Sequence, residues 1–169
     1  MCDEIGYFSS GESKFNNKSH VSNHLNYLFR TDKSQKWTNN FTQFNYFVRF
    51  KDGKLMHGMF PEKLEDRLVL KEDLKLDIFR ELEVDNLNMI MFNINVNNKI
   101  VSIDEMLEAV SVEDLLKNLL DFYSAVIFID KDLFPVALVA HFDQINPHFH
   151  LIFSNYSDCS LFDALTKNS

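Results

Sequence analysis

Two short apolar runs near the C-terminal end, Val136–Ala140 and Leu151–Phe153, are separated by a polar stretch, Asp143–Pro147, and three histidines border that gap: His141, His148 and His150. Runs this short, bounded by turn-forming residues, read as strands. His148 and His150 are two residues apart, so on a strand they project from one face. Pro147 suits a strand start, where its missing N–H costs little. His141 closes the first run. Pairing the two strands brings three imidazoles within reach of one cation, with coordination positions left open for substrate oxygens. Such a site suits Lewis-acid chemistry on a phosphate. Taken singly, each histidine would be an ordinary core or surface residue. Their shared spacing makes all three candidate ligands of one ion, with two ligands and a bystander as the alternative.

At 169 residues the chain fits one domain, residues 1–169, with a core rich in its 17 phenylalanines. Cys2 and Cys159 lie near opposite ends and give neither a disulfide framework nor zinc-finger spacing. The N-terminal stretch lacks the basic-then-apolar form of a signal peptide, and no apolar run reaches the ~18 residues of a membrane span. A cytoplasmic protein without membrane partners is expected. The net charge is −8, yet residues 14–54 hold Lys14, Lys18, Arg30, Lys33, Lys36, Arg49, Lys51 and Lys54 against only Asp32 and Asp52. One basic face on an acidic molecule would suit a polyanion; the alternative is an acidic protein that meets none.

Residues 1–18 and 155–169 read as irregular tails, the second with one weak helix from Leu161. Ser19 or Ser22 caps a short helix running to about Arg30. Phe44–Phe50 and Leu55–Phe60 form a ribbon around the turn Lys51–Lys54. Leu70, Leu74, Ile78 and Leu82 have helical spacing. Met89–Val96 alternates as a strand covered on both faces. Ser102 with Glu105 makes a capping box for a helix over 103–110, and Ser111 opens a longer one with a broad leucine stripe. Val126–Ile129 either finishes that helix or is extended. The expected fold is α+β, a two-layer sandwich. Its antiparallel central sheet is covered by helices, chiefly 112–125, on one face, and the histidine pair sits on a central strand.

The pattern His141-x-Asp143-x-x-x-Pro147-His148-x-His150, followed by aliphatic residues, resembles the metal motif of the HUH endonuclease superfamily, in particular the mobilisation relaxases that nick plasmid DNA. A second segment, Asn23-His24-Leu25-Asn26-Tyr27-Leu28-Phe29-Arg30, resembles the tyrosine helix of relaxases related to the T-DNA border-nicking enzyme. The resemblance spans roughly residues 19–154, with 41–85 as an inserted ribbon and acidic helix. It implies Tyr27 as nucleophile, with His20 and His24 as outside candidates. It also implies Mg²⁺ or Mn²⁺ on the three histidines, and single-stranded or hairpin DNA and accessory mobilisation proteins as partners. Asp143 and Gln144 are the polar groups expected to orient the ligands, although Gln144 stands where some relaxases have Glu. Arg30 and His24 are the expected phosphate contacts. The implied activity is site-specific nicking and strand transfer through a 5′-phosphotyrosine link. Two other readings stand beside it: a relaxase-derived protein that binds nucleic acid or a protein partner without catalysis, and an unrelated metal hydrolase built on the same ligands.

Overall fold

Alternation along the central strands decides the architecture. The computed structural model describes residues 4–32 and 45–167. Its strands are β1 (Ile5–Lys14), β2 (Tyr46–Lys51), β3 (Lys54–Met59), β4 (Leu87–Val96), β5 (Lys99–Ile100), β6 (Leu133–His141) and β7 (His148–Asn155). Its helices are α1 (Lys18–Leu28), α2 (Leu64–Glu81), α3 (Ile103–Ala109), α4 (Val112–Ile127) and α5 (Leu161–Lys167). One antiparallel sheet runs β1-β4-β7-β6-β2-β3, with β5 folded back on the end of β4. β7, which carries His148 and His150, is central.

Both faces of this sheet are packed. Ile90, Phe92 and Ile94 of β4, Phe149, Leu151 and Phe153 of β7, and Leu138 and Ala140 of β6 meet Met106, Leu115, Leu119, Tyr123 and Leu161 of α3, α4 and α5. The alternate positions Leu87, Ile152, Val136, Ala137 and Val139 meet Val21, Leu25 and Leu28 of α1 and Leu74 and Ile78 of α2. The molecule therefore has three layers, not the expected two. α1 and α2 supply the second helical layer because their own apolar faces also need burial.

Two further expectations change. Residues 5–14 are a ten-residue strand, not part of an irregular tail, and pair with β4 along their length. The ribbon of residues 46–59 is no appendage: β2 hydrogen-bonds to β6 and extends the sheet. Residues 33–44, where part of the expected insertion falls, lie outside the described residues.

Local signals account for the helix ends. Ser102 and Ser111 accept the backbone N–H of Glu105 and Asp114 and cap α3 and α4. The cap of α1 is Asn17, whose side chain accepts the His20 N–H at 2.9 Å; Ser19 and Ser22 lie inside the helix. α2 begins at Leu64, ahead of the apolar periodicity, where Glu65 and Asp66 complement the positive end of its dipole. α4 runs on to Ile127.

A bulge in β6 sets the phase of the site. Pro135 pairs with Phe153 and Ala137 with Ile152, which leaves Val136 as an extra residue. Before the bulge, Leu133 faces α4; after it, Leu138 and Ala140 do. The inserted residue thus turns Val139 and His141 toward α1. The Tyr123 hydroxyl donates to the Pro135 carbonyl at 2.6 Å and accepts the Phe50 N–H at 3.1 Å, tying this irregularity to both β2 and α4.

Candidate metal centre

The register of two strands builds the cluster. His141 pairs with His148 across β6 and β7, and His150 lies two residues further along β7 on the same face. The three rings stand 5.1–5.3 Å apart, centroid to centroid. One ligand atom from each lies within 4.8 Å of the others. All three residues are buried. Of the two open alternatives, three converging ligands is the one the structure bears out.

Backbone carbonyls settle which nitrogen each ring offers. His141 Nε2 lies 2.8 Å from the Leu28 carbonyl, and His148 Nδ1 lies 3.0 Å from that of Asn146. A carbonyl can only accept, so both nitrogens carry protons, and the opposite nitrogens carry lone pairs. Those lone pairs, on His141 Nδ1 and His148 Nε2, face each other across 3.4 Å. Bare lone pairs at that distance repel, and a cation between them relieves the repulsion. The separation also matches the edge of a tetrahedron around an ion about 2.1 Å from each nitrogen. His150 Nε2 is buried with no hydrogen-bond partner among the described residues. An orphaned buried ring nitrogen of this kind is costly unless something absent from the protein uses it. The residues therefore fit a metal ion on His141 Nδ1, His148 Nε2 and His150 Nε2.

Electrostatics prepare the same state. Burial is the first cause that depresses the pKa of each ligand histidine, and the Arg30 charge pushes in the same direction. The imidazoles are held neutral, as ligands must be.

Tyr27 of α1 lies over the cluster. Its ring meets those of His141 and His150 edge-on at 5.6 and 5.7 Å. One turn earlier, His24 stacks on Tyr27 at 6.2 Å and meets His150 at 5.6 Å. Burial, with a smaller contribution from His20, pushes the His24 pKa down to about 4, and its Nε2 has no partner among the described residues. Gln144 reaches the Tyr27 hydroxyl with its amide at 3.5 Å. His20 turns away, accepting the Asn16 N–H at 3.1 Å.

Asp143 and Arg30 take parts different from those expected. Arg30 Nε and one terminal nitrogen donate to the two Asp143 oxygens at 2.8 and 2.6 Å, with both side chains fully shielded from solvent. Asn45 adds a bond to the same carboxylate at 2.8 Å and accepts the Phe142 N–H at 2.7 Å. Burial works against the Asp143 charge, but the Arg30 hydrogen bonds and charge, with Asn45, hold its carboxyl below the usual range. The expected orienting contact from Asp143 to a ligand histidine is replaced by the Leu28 and Asn146 carbonyls. Arg30, expected at a substrate phosphate, is sealed inside instead. It donates to the Tyr27 carbonyl at 3.0 Å and lies 4.9 Å from the Tyr27 ring centroid, so it positions the tyrosine from beneath. Arg30 also ends α1 with a left-handed backbone, φ 56°.

Two of the cations in the basic segment are turned onto carboxylates of α2. Arg49 pairs with Asp73 and Asp77 of α2, and Lys51 pairs with Asp73 at 2.5 Å. Sequence reasoning missed Asn45 and the two carbonyls. Neither kind of group carries a local signal, since both act through contacts far along the chain.

No helix among the described residues is long and apolar enough to cross a membrane. The chain matches no family model, and no curated protein or solved structure shows a significant match to it.

Proposed function

We propose that this protein is a metal-dependent, single-strand DNA endonuclease of the relaxase type, with Tyr27 as its nucleophile. The observation that carries the reading is the Tyr27 ring seated edge-on against two of three converging histidines. On this reading a substrate phosphate would bridge the tyrosine hydroxyl and the ion held by the ligand nitrogens.

A divalent ion on the three imidazoles would polarise a phosphodiester and neutralise charge developing on its oxygens. The donor set is neutral and all nitrogen, which ranks Zn²⁺ and Co²⁺ above Mn²⁺, and Mn²⁺ above Mg²⁺. Arg30 and Asp143 hold α1 and the loop after β6 together, which fixes the tyrosine over the histidines. The Gln144 amide steadies the phenolic oxygen. Because Gln144 cannot act as a base, the phenolic proton leaves to water. The Tyr27 oxygen then bonds to phosphorus and the bond from phosphorus to the 3′ oxygen breaks. That oxygen takes a proton from water and departs as a 3′-hydroxyl. The downstream strand stays on Tyr27 through its 5′ phosphate, and attack by a 3′-hydroxyl on that phosphotyrosine reverses the step.

The test uses the purified chain with Mn²⁺, Co²⁺ or Zn²⁺ and an end-labelled pool of single-stranded and hairpin DNA. A covalent adduct on a denaturing gel is expected, with the mass of a phosphotyrosine peptide from α1, and Tyr27→Phe abolishes it. No adduct with any of these metals, or the same adduct from Tyr27→Phe, rejects catalysis by this residue.

One observation favours a second reading, a non-catalytic binding protein. The cations of Arg49 and Lys51 are engaged by α2 carboxylates, so these two charges of the basic segment are not free to grip a DNA backbone. A tight protein partner in the absence of any nicking would favour it.

A further inference from the structure

The metal-binding row of the sheet continues past the metal. His141 pairs with His148, His148 with Asn93 of β4, and Asn93 with Phe8 of β1. Residues paired directly across antiparallel strands share a face, so these four side chains form one line across four strands. At about 4.8 Å per strand, Phe8 stands about 10 Å from His148.

The far half of this line is not roofed by α1 or α2. Their apolar cluster reaches β4 only at Leu87 and Met89. Beyond it, Met91, Asn93 and Asn95 are half-exposed on the same face. Phe8 is 58 % exposed, although its neighbour Tyr7 is packed into the opposite core against Phe122 and Phe149. Among the described residues the Asn93 amide has no hydrogen-bond partner in the protein. Gly6 faces Asn95 so closely that a Cβ would meet its Oδ1 at 2.5 Å; the missing side chain is what lets the Asn95 amide lie flat across β1.

A shelf of uncharged amides ending in an exposed ring, and leading out of a metal centre, suits a nucleobase better than a phosphate. Amides can serve both donor and acceptor edges of a base, and an aromatic face stacks any base. We propose that Phe8, Asn93 and Asn95 form a base-binding subsite for the single DNA strand whose phosphate the metal centre takes, with one unpaired base stacked on Phe8. This rests on the nicking reading above and names where its substrate lies.

The test uses the full chain loaded with Mn²⁺ and a randomised 12-nucleotide single-stranded pool carrying 5-iodouracil. Photocrosslinking should label the peptide that contains Phe8. Phe8→Ala should weaken binding about tenfold, as expected for one lost stacked base, and raise KM for nicking with little change in kcat; Phe8→Trp should restore both. The ring is exposed, so an unchanged melting temperature in Phe8→Ala shows that the fold is kept. If wild type nicks but the crosslink maps elsewhere, or Phe8→Ala binds and nicks as wild type does, the shelf is wrong while the nuclease stands. If a protein segment and no DNA protects Phe8, the subsite belongs to that partner and the proposal fails. If wild type neither binds nor nicks DNA, both fall together.

Discussion

The two faces of the sheet are made from the same strands and do opposite jobs. On the α4 side the central inward positions are apolar: Phe149 stacks on Phe92 at 4.9 Å and takes the edges of Tyr7 and Phe122 at 5.0 and 5.2 Å. On the α1 side the alternate positions of the same strands include histidines and asparagines, and a buried ion pair between the end of α1 and the loop after β6 lies beside them. One face supplies the burial that folds the chain, about 1.5–3 kcal/mol for a phenylalanine such as Phe149. That surplus allows the other face to carry groups that cost stability, including lone pairs turned against each other and an exposed ring. Because strand side chains alternate, a residue can serve only one of these ends.

The comparison is broken most severely by changes that hit folding from each side. Phe149→Ala, on the closed face, should cost about 3–5 kcal/mol in urea unfolding. Arg30→Met, on the worked face, should cost a similar 3–5 kcal/mol, because it leaves Asp143 as an uncompensated buried charge. The two differ in rescue: Arg30→Met with Asp143→Leu should recover most of the loss, since a hydrophobic pair of similar volume replaces both charges. A double variant as unstable as the single one would mean that Asn45 and the Tyr27 carbonyl, not the ion pair, dominate.

A smaller effect separates the faces by metal. Zn²⁺ at 100 times its dissociation constant should raise stability by about 2.7 kcal/mol in wild type, and His148→Ala should abolish that gain while the metal-free variant stays folded. Equal stabilisation in both, read from melting curves, would remove the metal centre.

Smaller again is the response to acid. The ligand histidines are held below their ordinary pKa, so between that lowered value and about 6.5 the unfolded chain binds protons that the folded chain refuses. Stability of the metal-free protein should fall as the pH drops below about 6.5, by up to about 1.4 kcal/mol per unit for each histidine that stays neutral. His141→Phe should flatten that slope; an unchanged slope would place the titration elsewhere. The smallest change sharpens the picture at the shelf. Gly6→Ala should alter stability by under about 1 kcal/mol, since only the Asn95 side chain must swing aside, yet DNA binding should weaken.

The cluster was legible because its rule is short: a period of two places His148 and His150 together, and a strand pairing adds His141. The tyrosine helix was legible only through resemblance to a family, since Tyr27 between Leu25 and Leu28 has no local mark of reactivity. The partnership of Arg30 with Asp143, 113 residues apart, has no spacing to read. β1 was hidden for a different reason. It is an edge strand whose inward positions, Ile5 and Tyr7, are outnumbered by glycine, serine and charged residues, so its composition matches a tail. The second helical layer was missed because α1 and α2 have apolar faces that fit either face of a sheet.

The single extra residue in β6, Val136, acts as a parity switch for everything downstream of it. Were Val136 drawn into the ladder opposite Ile152, the composition of both strands would be untouched, yet every later residue of β6 would slip by one, which would invert the side of the sheet that His141 serves and send that imidazole into the phenylalanine core. Ion uptake in this protein is therefore a direct assay of strand phase: a chain that folds with the bulge ironed out would keep its sheet and lose its metal.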